Sequence, residues 1–511
     1  MIGMHAERGY SRQRRRRRSI GVQEYELLPI DYVQGQADMS FAFFFDAPTC
    51  GTQHPSTRSL HESLIRAVQM FPILTGHLTS RKGTNDQRTV VVVDSSRINW
   101  PVLSESQAVH GVFAQAKNKM FRWSQWPPEA QNMVELHSIG GQPLFGLHIV
   151  RYACGALSIH TRMRHQIMDG CGLFRFYSTW AQMCTHIHRS GGRSPMRLSV
   201  AEYPLCDRLI CASRIVGADG MTRQNTQDPK GAASPCKDAA ASRVFRYMAK
   251  LEVFLRRLSR YRNAAATEAD AQLPAQMHRF AVSPDSMREL KSQFGTVTSC
   301  TRGTAALLRK HRAGYVTTND LLLALFWRAI TRAHAHVEER SDPYTCMSIA
   351  CDMRKRIAVP ATYTGNASFP LPMHMAKQTM LTHSVTDTAA YIRYHVDLLS
   401  SEFARQMSAL LASDKMMARL VSMFHPRTAF FMASALAAFP MYQSLAFGAS
   451  MPVHIDIPPY LAPGFSIWLP SSPQDSIFRP NSILMNIALR DDVFHCVVRD
   501  PEFRAFVDVL C

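Results

Sequence analysis

None of the twelve cysteines forms a Cys-x-x-Cys pair, and no Cys/His cluster has zinc-finger spacing. A structural zinc site gathers four ligands through short local spacings, so no metal site is expected. Cys206/Cys211 and Cys346/Cys351 share a spacing but define no framework. A chain of 511 residues has core enough to need none, and its thiols read as reduced and intracellular. No apolar run reaches the ~20 residues of a spanning helix. The most membrane-like stretch, AFFMASALAAFPMY (Ala429 to Tyr442), is interrupted by Pro440. It reads as a buried helix or strand pair, with peripheral membrane contact as the alternative. The N-terminal region lacks a secretory apolar segment, and the terminal DVLC is neither a peroxisomal tripeptide nor a usual prenylation box. A cytoplasmic monomer is expected. A nucleophile elbow, a P-loop and a dinucleotide glycine fingerprint are also missing; the nearest glycine cluster, SIGGQPLFG (Ser138 to Gly146), has the wrong spacing.

Charge is what the chain has in excess. Lys plus Arg number 58 against 39 Asp plus Glu, a formal net charge of +19. Such a balance favours anionic partners. Six arginines sit in RQRRRRRS (Arg12 to Ser19). No aromatic residue is interleaved with them, so bases have no stacking platform. The run reads as a solvated tail, and no nucleic acid partner is expected.

Hydrophobic residues make up 46% of the chain, which excludes general disorder and suggests several domains. SFAFFFDA (Ser40 to Ala47) and TVVVVDSS (Thr89 to Ser96) read as buried strands. LHESLIRAVQMFPILTGHL (Leu60 to Leu78) reads as a helix that Pro72 ends. PLFGLHIVRYACGALSIHTRMRH (Pro143 to His165) reads as a hairpin turning at Gly155. The polar stretch from Gly217 to Arg243 has no apolar period and reads as a linker or crossover loop. VFRYMAKLEVFLRRLSRYR (Val244 to Arg262) is a basic amphipathic helix with a solvated face, anion or membrane-surface contact being the alternative. Ser283 is placed to cap a helix with Pro284 at its first position. TTNDLLLALFWRAITRAHAHV (Thr317 to Val337) is apolar over a wide face and reads as a mostly buried helix. PEFRAFVDVL closes the chain as a short helix. The expected organisation is a basic tail over 1–20, a first domain over 21–190, a crossover linker with the basic helix over 191–275, and a second domain over 276–511. Strands and helices alternate irregularly in both halves, which argues for two α/β domains.

RMRHQIMDGCGLFRFYSTWAQ (Arg162 to Gln182) joins a strand end, His165, a tight turn and an amphipathic helix. A histidine there is half-exposed, and the positive helix end nearby disfavours an imidazolium. A neutral imidazole can act as general base. On the residues alone, an ordinary strand-end histidine competes with that reading. Asp169 could hydrogen-bond locally or pair with an arginine; Gly170 allows unusual backbone angles and close packing.

HQIMDGCGLFRFYSTWA resembles the His-x-x-x-Asp-Gly motif of BAHD-type acyltransferases, with the downstream Phe and Trp-Ala at matching offsets. Further segments match the same family in order: YELLPIDYV, LIRAVQMFPILTGHL, the hairpin before the motif, VTTNDLLLALFWRAITRA, CDMRKRIAVPATYTGNA and NSILMNIALRDDVFHCVVRDPEF. Among its branches, the chain is most similar to fungal ones acting on specialised metabolites, such as trichothecene-type O-acetyltransferases or glycolipid acyltransferases. The resemblance implies an α/β fold of two chloramphenicol-acetyltransferase-like domains, mixed sheets flanked by helices, with a channel between them. It implies acyl transfer from acyl-CoA, the co-substrate, to a hydroxyl or amine, and the acceptor expected is a hydroxyl of a small metabolite: a glycolipid, terpenoid or polyketide. His165 would be the general base. Asp169 would turn away to pair with Arg354 or Arg356, and Gly170 would support the turn.

The chain also departs from the family. Where relatives carry Asp-Phe-Gly-Trp-Gly, a basic residue and Pro, this sequence has AFGASMP (Ala446 to Pro452). ASA (Ala433 to Ala435) stands where relatives carry a hydroxyl residue, Ser and Trp, leaving Ser434 as the candidate oxyanion donor. A catalytically silent, CoA- or partner-binding relative is therefore the alternative expectation.

Overall fold

The computed structural model describes residues 22–33, 37–49, 52–81, 88–94, 99–109, 111–135, 143–191, 203–216, 239–265, 274–296, 315–337, 343–421, 429–460, 462–474 and 479–510. The arginine tail, and residues 217–238 of the polar stretch, lie outside them; the last five residues of that stretch, 239–243, are not loop but open the helix Ala239–Ala265. The first half contains β1 (Val22–Glu26), β2 (Asp38–Phe45), α1 (Thr57–Met70), β3 (His77–Arg81), β4 (Arg88–Asp94), β5 (Val102–Ala108), β6 (Phe145–Tyr152), β7 (Leu157–Arg164) and α2 (Gly170–Ser190). Then come α3 (Arg208–Val216), α4 (Ala239–Ala265), β8 (Ala275–Val282), α5 (Pro284–Phe294), α6 (Thr318–Val337), β9 (Tyr344–Asp352) and β10 (Ser368–Ala376). The last part holds α7 (Val385–Val396), α8 (Ser401–Leu411), β11 (Ala429–Ala435), β12 (His454–Asp456), β13 (Phe465–Pro470), β14 (Ile483–Arg490) and β15 (Asp508–Val509).

Among the described residues three sheets form, ordered β1-β4-β3, β12-β2-β7-β6-β5 and β10-β9-β11-β13-β14-β8-β15. The aromatic run of β2 is explained by burial on both faces of its sheet. Phe41, Phe43 and Phe45 join the core built with α1 and α2, while Ala42 and Phe44 pack with Phe113, Phe121, Trp126 and Tyr152. Trp180 of α2 donates its indole N–H to Leu60 O and Ser63 Oγ of α1, so the two helices lie together on the sheet. Pro72 ends α1 as expected. At Gly76 a Cβ would stand 2.8 Å from Val92 O, so only glycine permits the turn into β3. The hairpin of β6 and β7 turns at Gly155, whose φ is +86°.

In the second half, α6 is buried nearly all round, its Phe326 and Trp327 set in the core over the seven-stranded sheet. Asp320 accepts from the backbone N–H and hydroxyl of Thr317, fixing the start of this helix. Ser283 caps α5, with Pro284 first in the helix. Two expectations are corrected. AFFMASALAAFPMY forms neither a helix nor a strand pair: Ala429–Ala435 is the interior strand β11, parallel to both β9 and β13, and a turn and the short helix Met441–Ser444 follow. Strands buried on both faces read as unbroken apolar runs, which hides their period. PEFRAFVDVL is helical only at Pro501–Arg504; Asp508 and Val509 return as β15 against β8. Among the described residues, no helix is long and apolar enough to cross a membrane.

The two halves exchange parts. β12 pairs antiparallel with β2, so residues 454–456 complete the sheet of the first half. Asp456 of that strand accepts from Arg279 Nη2 of β8 at 2.6 Å. The same guanidinium donates to Asn486 Oδ1 at 2.9 Å and to Met120 O at 2.7 Å.

Candidate active site

β7 lies between β2 and β6 and ends at Arg164. Arg162 and Arg164 are both buried there, held by Asp38 at 3.0 and 3.4 Å. His165 is the first residue beyond the strand. Its backbone N–H donates to Ala37 O, and a turn through Gln166 and Ile167 carries the chain to Asp169, the N-cap of α2. The imidazole is half-buried. Nδ1 is buried and has no hydrogen-bond partner among the described residues. Burial holds the ring below the ordinary histidine range, against the carbonyls of His165 and Met168 and the carboxylates of Asp169 and Asp31. The imidazole is therefore neutral near pH 7.

Asp169 does not orient the imidazole. One oxygen accepts from the Gly172 N–H at 3.0 Å, the capping bond of α2. Both oxygens receive the guanidinium of Arg354, at 2.8 and 2.9 Å, and Oδ2 also accepts from the Ala367 N–H at 2.9 Å. Burial alone would raise this carboxyl, but Arg354 and the two backbone donors hold it below the usual carboxylate range. Arg354 spends its remaining donors on Tyr363 O, Gly365 O and Asp352 Oδ1. The pair spans the two halves and has its hydrogen bonds satisfied, the condition under which a buried ion pair holds its geometry.

A second buried cluster, absent from the sequence expectations, fixes the turn itself. Asn366 Nδ2 donates to His165 O at 3.1 Å and to Gln166 O at 3.2 Å. Arg208 Nη2 donates to Gln166 O at 3.2 Å and to Ile167 O at 2.7 Å. Asp31, fully buried, ties the two donors together, accepting from Asn366 at 2.7 Å and from Arg208 Nε at 3.0 Å. Burial pushes the Asp31 carboxyl up, against the pull of Arg208. The turn that carries His165 is thus held by residues from three distant parts of the chain, with Asn366 on the His165 carbonyl itself. Asp31 and Asn366 stand inside family-like segments (YELLPIDYV, YTGNA), but Arg208 lies in a stretch read as linker, where no period marks it.

The remaining candidates are placed as follows. Arg356 takes no part in the Asp169 pair; its guanidinium is exposed and, among the described residues, donates only to Asp352 O, at 3.4 Å. With Asp352, Arg393, Ala433 and Ala435 it lines a cavity of about 180 Å³. Ser434 is half-buried on β11 and makes no side-chain hydrogen bond among the described residues. Gly170 serves close packing rather than an unusual backbone angle. A Cβ there would lie 3.0 Å from Leu436 Cδ2, just beyond β11. At Gly172 a Cβ would meet Thr364 O at 2.1 Å, so α2 and the 360–367 segment approach to a distance only glycine allows. The altered AFGASMP segment sits elsewhere. Thr185 donates to Ala446 O at 2.9 Å and accepts from the Gly448 N–H at 3.1 Å, while Phe447 meets Trp180 edge-on. Thr185 is about 24 Å along α2 from Asp169, at about 1.5 Å per residue.

Known proteins share this fold. The structure aligns with that of F. graminearum TRI101 complexed with coenzyme A and T-2 mycotoxin at a TM-score of 0.67, 16% identity, and coverage of 95% of this chain and 99% of that one. Vinorine synthase aligns at a TM-score of 0.55 and 14% identity over 95% of this chain and 94% of that one. In sequence, Hydroxycinnamoyltransferase 2 of Oryza sativa subsp. japonica is 23% identical over 52% of this chain and 49% of its own length. An N-hydroxycinnamoyltransferase of Avena sativa, HHT4, which its name couples to hydroxycinnamoyl-CoA and 5-hydroxyanthranilate, is 22% identical over 56% and 53%. The matches thus span about half the length of these curated relatives. The model of the Transferase family matches residues 22–196 and 253–471, well over half of the sequence and both halves of the site. With the strand-end histidine, the capping aspartate and the two-domain α/β fold in their places, the chain belongs to the Transferase family, the BAHD-type acyltransferases.

Proposed function

We propose that the protein transfers an acyl group from acyl-CoA to a hydroxyl of a small acceptor, with His165 as general base. The observation that carries this reading is a neutral, half-buried imidazole whose backbone is clamped while its neighbouring carboxylate is turned away. Nε2 takes the proton of the acceptor hydroxyl as its oxygen attacks the thioester carbonyl carbon. The tetrahedral intermediate collapses, the C–S bond breaks, and the departing thiolate recovers the proton from the imidazolium. No acyl-enzyme forms. Ser434, unengaged on β11, is the proposed donor to the oxyanion. The exposed guanidinium of Arg356 and the positive net charge favour the anionic co-substrate. Within this reading the acyl group is acetyl or another short to medium chain. The acceptor is a specialised metabolite of the glycolipid, terpenoid or polyketide kind, as in fungal branches of the family.

The silent-relative reading rests on the altered late motif. Its position at the far end of α2, where Thr185 holds it by two hydrogen bonds, favours retained activity. The deciding experiment is a matrix of acyl-CoAs against hydroxylated metabolites, scored by free thiol and product mass. Thiol release with a matching acylated product is expected in at least one cell. CoA binding by calorimetry with no turnover throughout the matrix would establish the silent reading instead.

A further inference from the structure

One face of α4 is covered by neither core. Its inner side, including Val244, Leu251, Leu255 and Leu258, is buried. Phe254 stacks on His374 of β10, and the Tyr247 hydroxyl donates to Pro372 O of the same strand. The opposite arc has a different composition. At 100° per residue, Phe245, Ala249 and Val253 fall in one row along its middle. Phe245 is 65% exposed and Val253 49%, and Ala249 is exposed as well. Arg246, Lys250, Arg256 and Arg257 stand exposed around that row. The acidic residue on this arc, Glu252, is paired with Arg256.

An ordinary solvated face would account for the cations, but not for a row of apolar side chains among them. A nucleic acid backbone would likewise use the charges and leave Phe245 and Val253 without a role. The surface that uses both is an anionic bilayer: apolar side chains enter the boundary between headgroups and acyl chains while arginine and lysine meet the phosphates. The family match stops at residue 196 and resumes at 253, so Phe245, Arg246 and Lys250 lie in a stretch that the family pattern does not describe. That part of the surface is therefore not set by the family pattern, while Val253, Arg256 and Arg257 fall where the match resumes.

We propose that the outer face of α4 docks the protein on anionic phospholipid bilayers. The inference does not depend on the acyl-transfer reading. It is tested by sedimentation with vesicles of phosphatidylcholine, with or without phosphatidylserine. All variants are made in the full-length chain with the six arginines between residues 12 and 18 replaced by glutamine, so that the tail cannot supply the binding. That parent is expected to bind the phosphatidylserine vesicles. The pairs Phe245→Ser with Val253→Ser, and Arg246→Glu with Lys250→Glu, are each expected to weaken binding ~tenfold or more. All four side chains are at the surface, so thermal melts should stay at the parent value. The proposal is overturned if the parent fails to bind phosphatidylserine vesicles, binds phosphatidylcholine equally well, or binds an RNA oligonucleotide in their place. It is also overturned if both paired variants bind as the parent does.

Discussion

His165 is held through its backbone, and Asp169 through everything except His165. This division assigns different consequences to neighbouring substitutions. Arg354→Ala leaves the Asp169 carboxylate buried without its cation, a loss of about 3–5 kcal/mol for a pair of this kind. Chemical denaturation should show the lower midpoint. Asn366→Ala instead frees the carbonyl of His165 and one oxygen of Asp31, and leaves Gln166 O to Arg208 alone. Under the proposed mechanism a displaced base costs more in rate than in binding, so kcat is expected to fall ~10–100-fold while KM for acyl-CoA changes little. A fall in stability with an intact kcat in the surviving folded fraction would count against the clamp.

At the scale of elements, the close approach of α2 to the 360–367 segment sets the geometry of the site. Gly172→Ala drives a methyl into Thr364 O, and α2 must shift or the segment must open. The expected cost is about 1–3 kcal/mol or more, with reduced turnover, measured by thermal melt and thiol release. The sequence made α2 and its His-Asp-Gly start legible because cap, turn and apolar stripe are local. Arg354 was legible as one of two candidate partners, since only the fold decides which guanidinium reaches Asp169. Arg208 was not legible: its partners lie 177 residues away at Asp31 and about forty away in the turn. The interior strand β11 was misread because a strand buried on both faces has no alternation to show. β12 is three residues long, and its pairing with β2 is set by long-range contact alone.

For the whole molecule, burial of neutral histidines in both halves links stability to pH. His160 sits among Phe44 and Trp126, with its ring pushed down to about 3 by burial. His374 and His395 are pushed down to about 4, again by burial first. The folded-state values are depressed, so the stability these histidines contribute is present above their unfolded pKa of about 6.5. It is lost as pH falls toward 4 and then 3. Near pH 5 unfolding should take up about three protons at these sites, a slope of about 4 kcal/mol per pH unit. Asp31 and Asp456, whose carboxyls burial pushes up, act in the opposite sense and soften the slope. Denaturation midpoints measured between pH 7 and pH 4 should fall steadily, and a flat profile would contradict this account of the buried rings.

The central claim is that His165 removes the acceptor's proton. Its most direct test is the rate of thiol release by His165→Ala, compared with the unaltered chain on an acyl-CoA and acceptor pair that turns over. The variant is expected to melt as a folded protein and to lose ~10²–10⁴ of the rate. A folded His165→Ala protein that releases thiol at the original rate would contradict it.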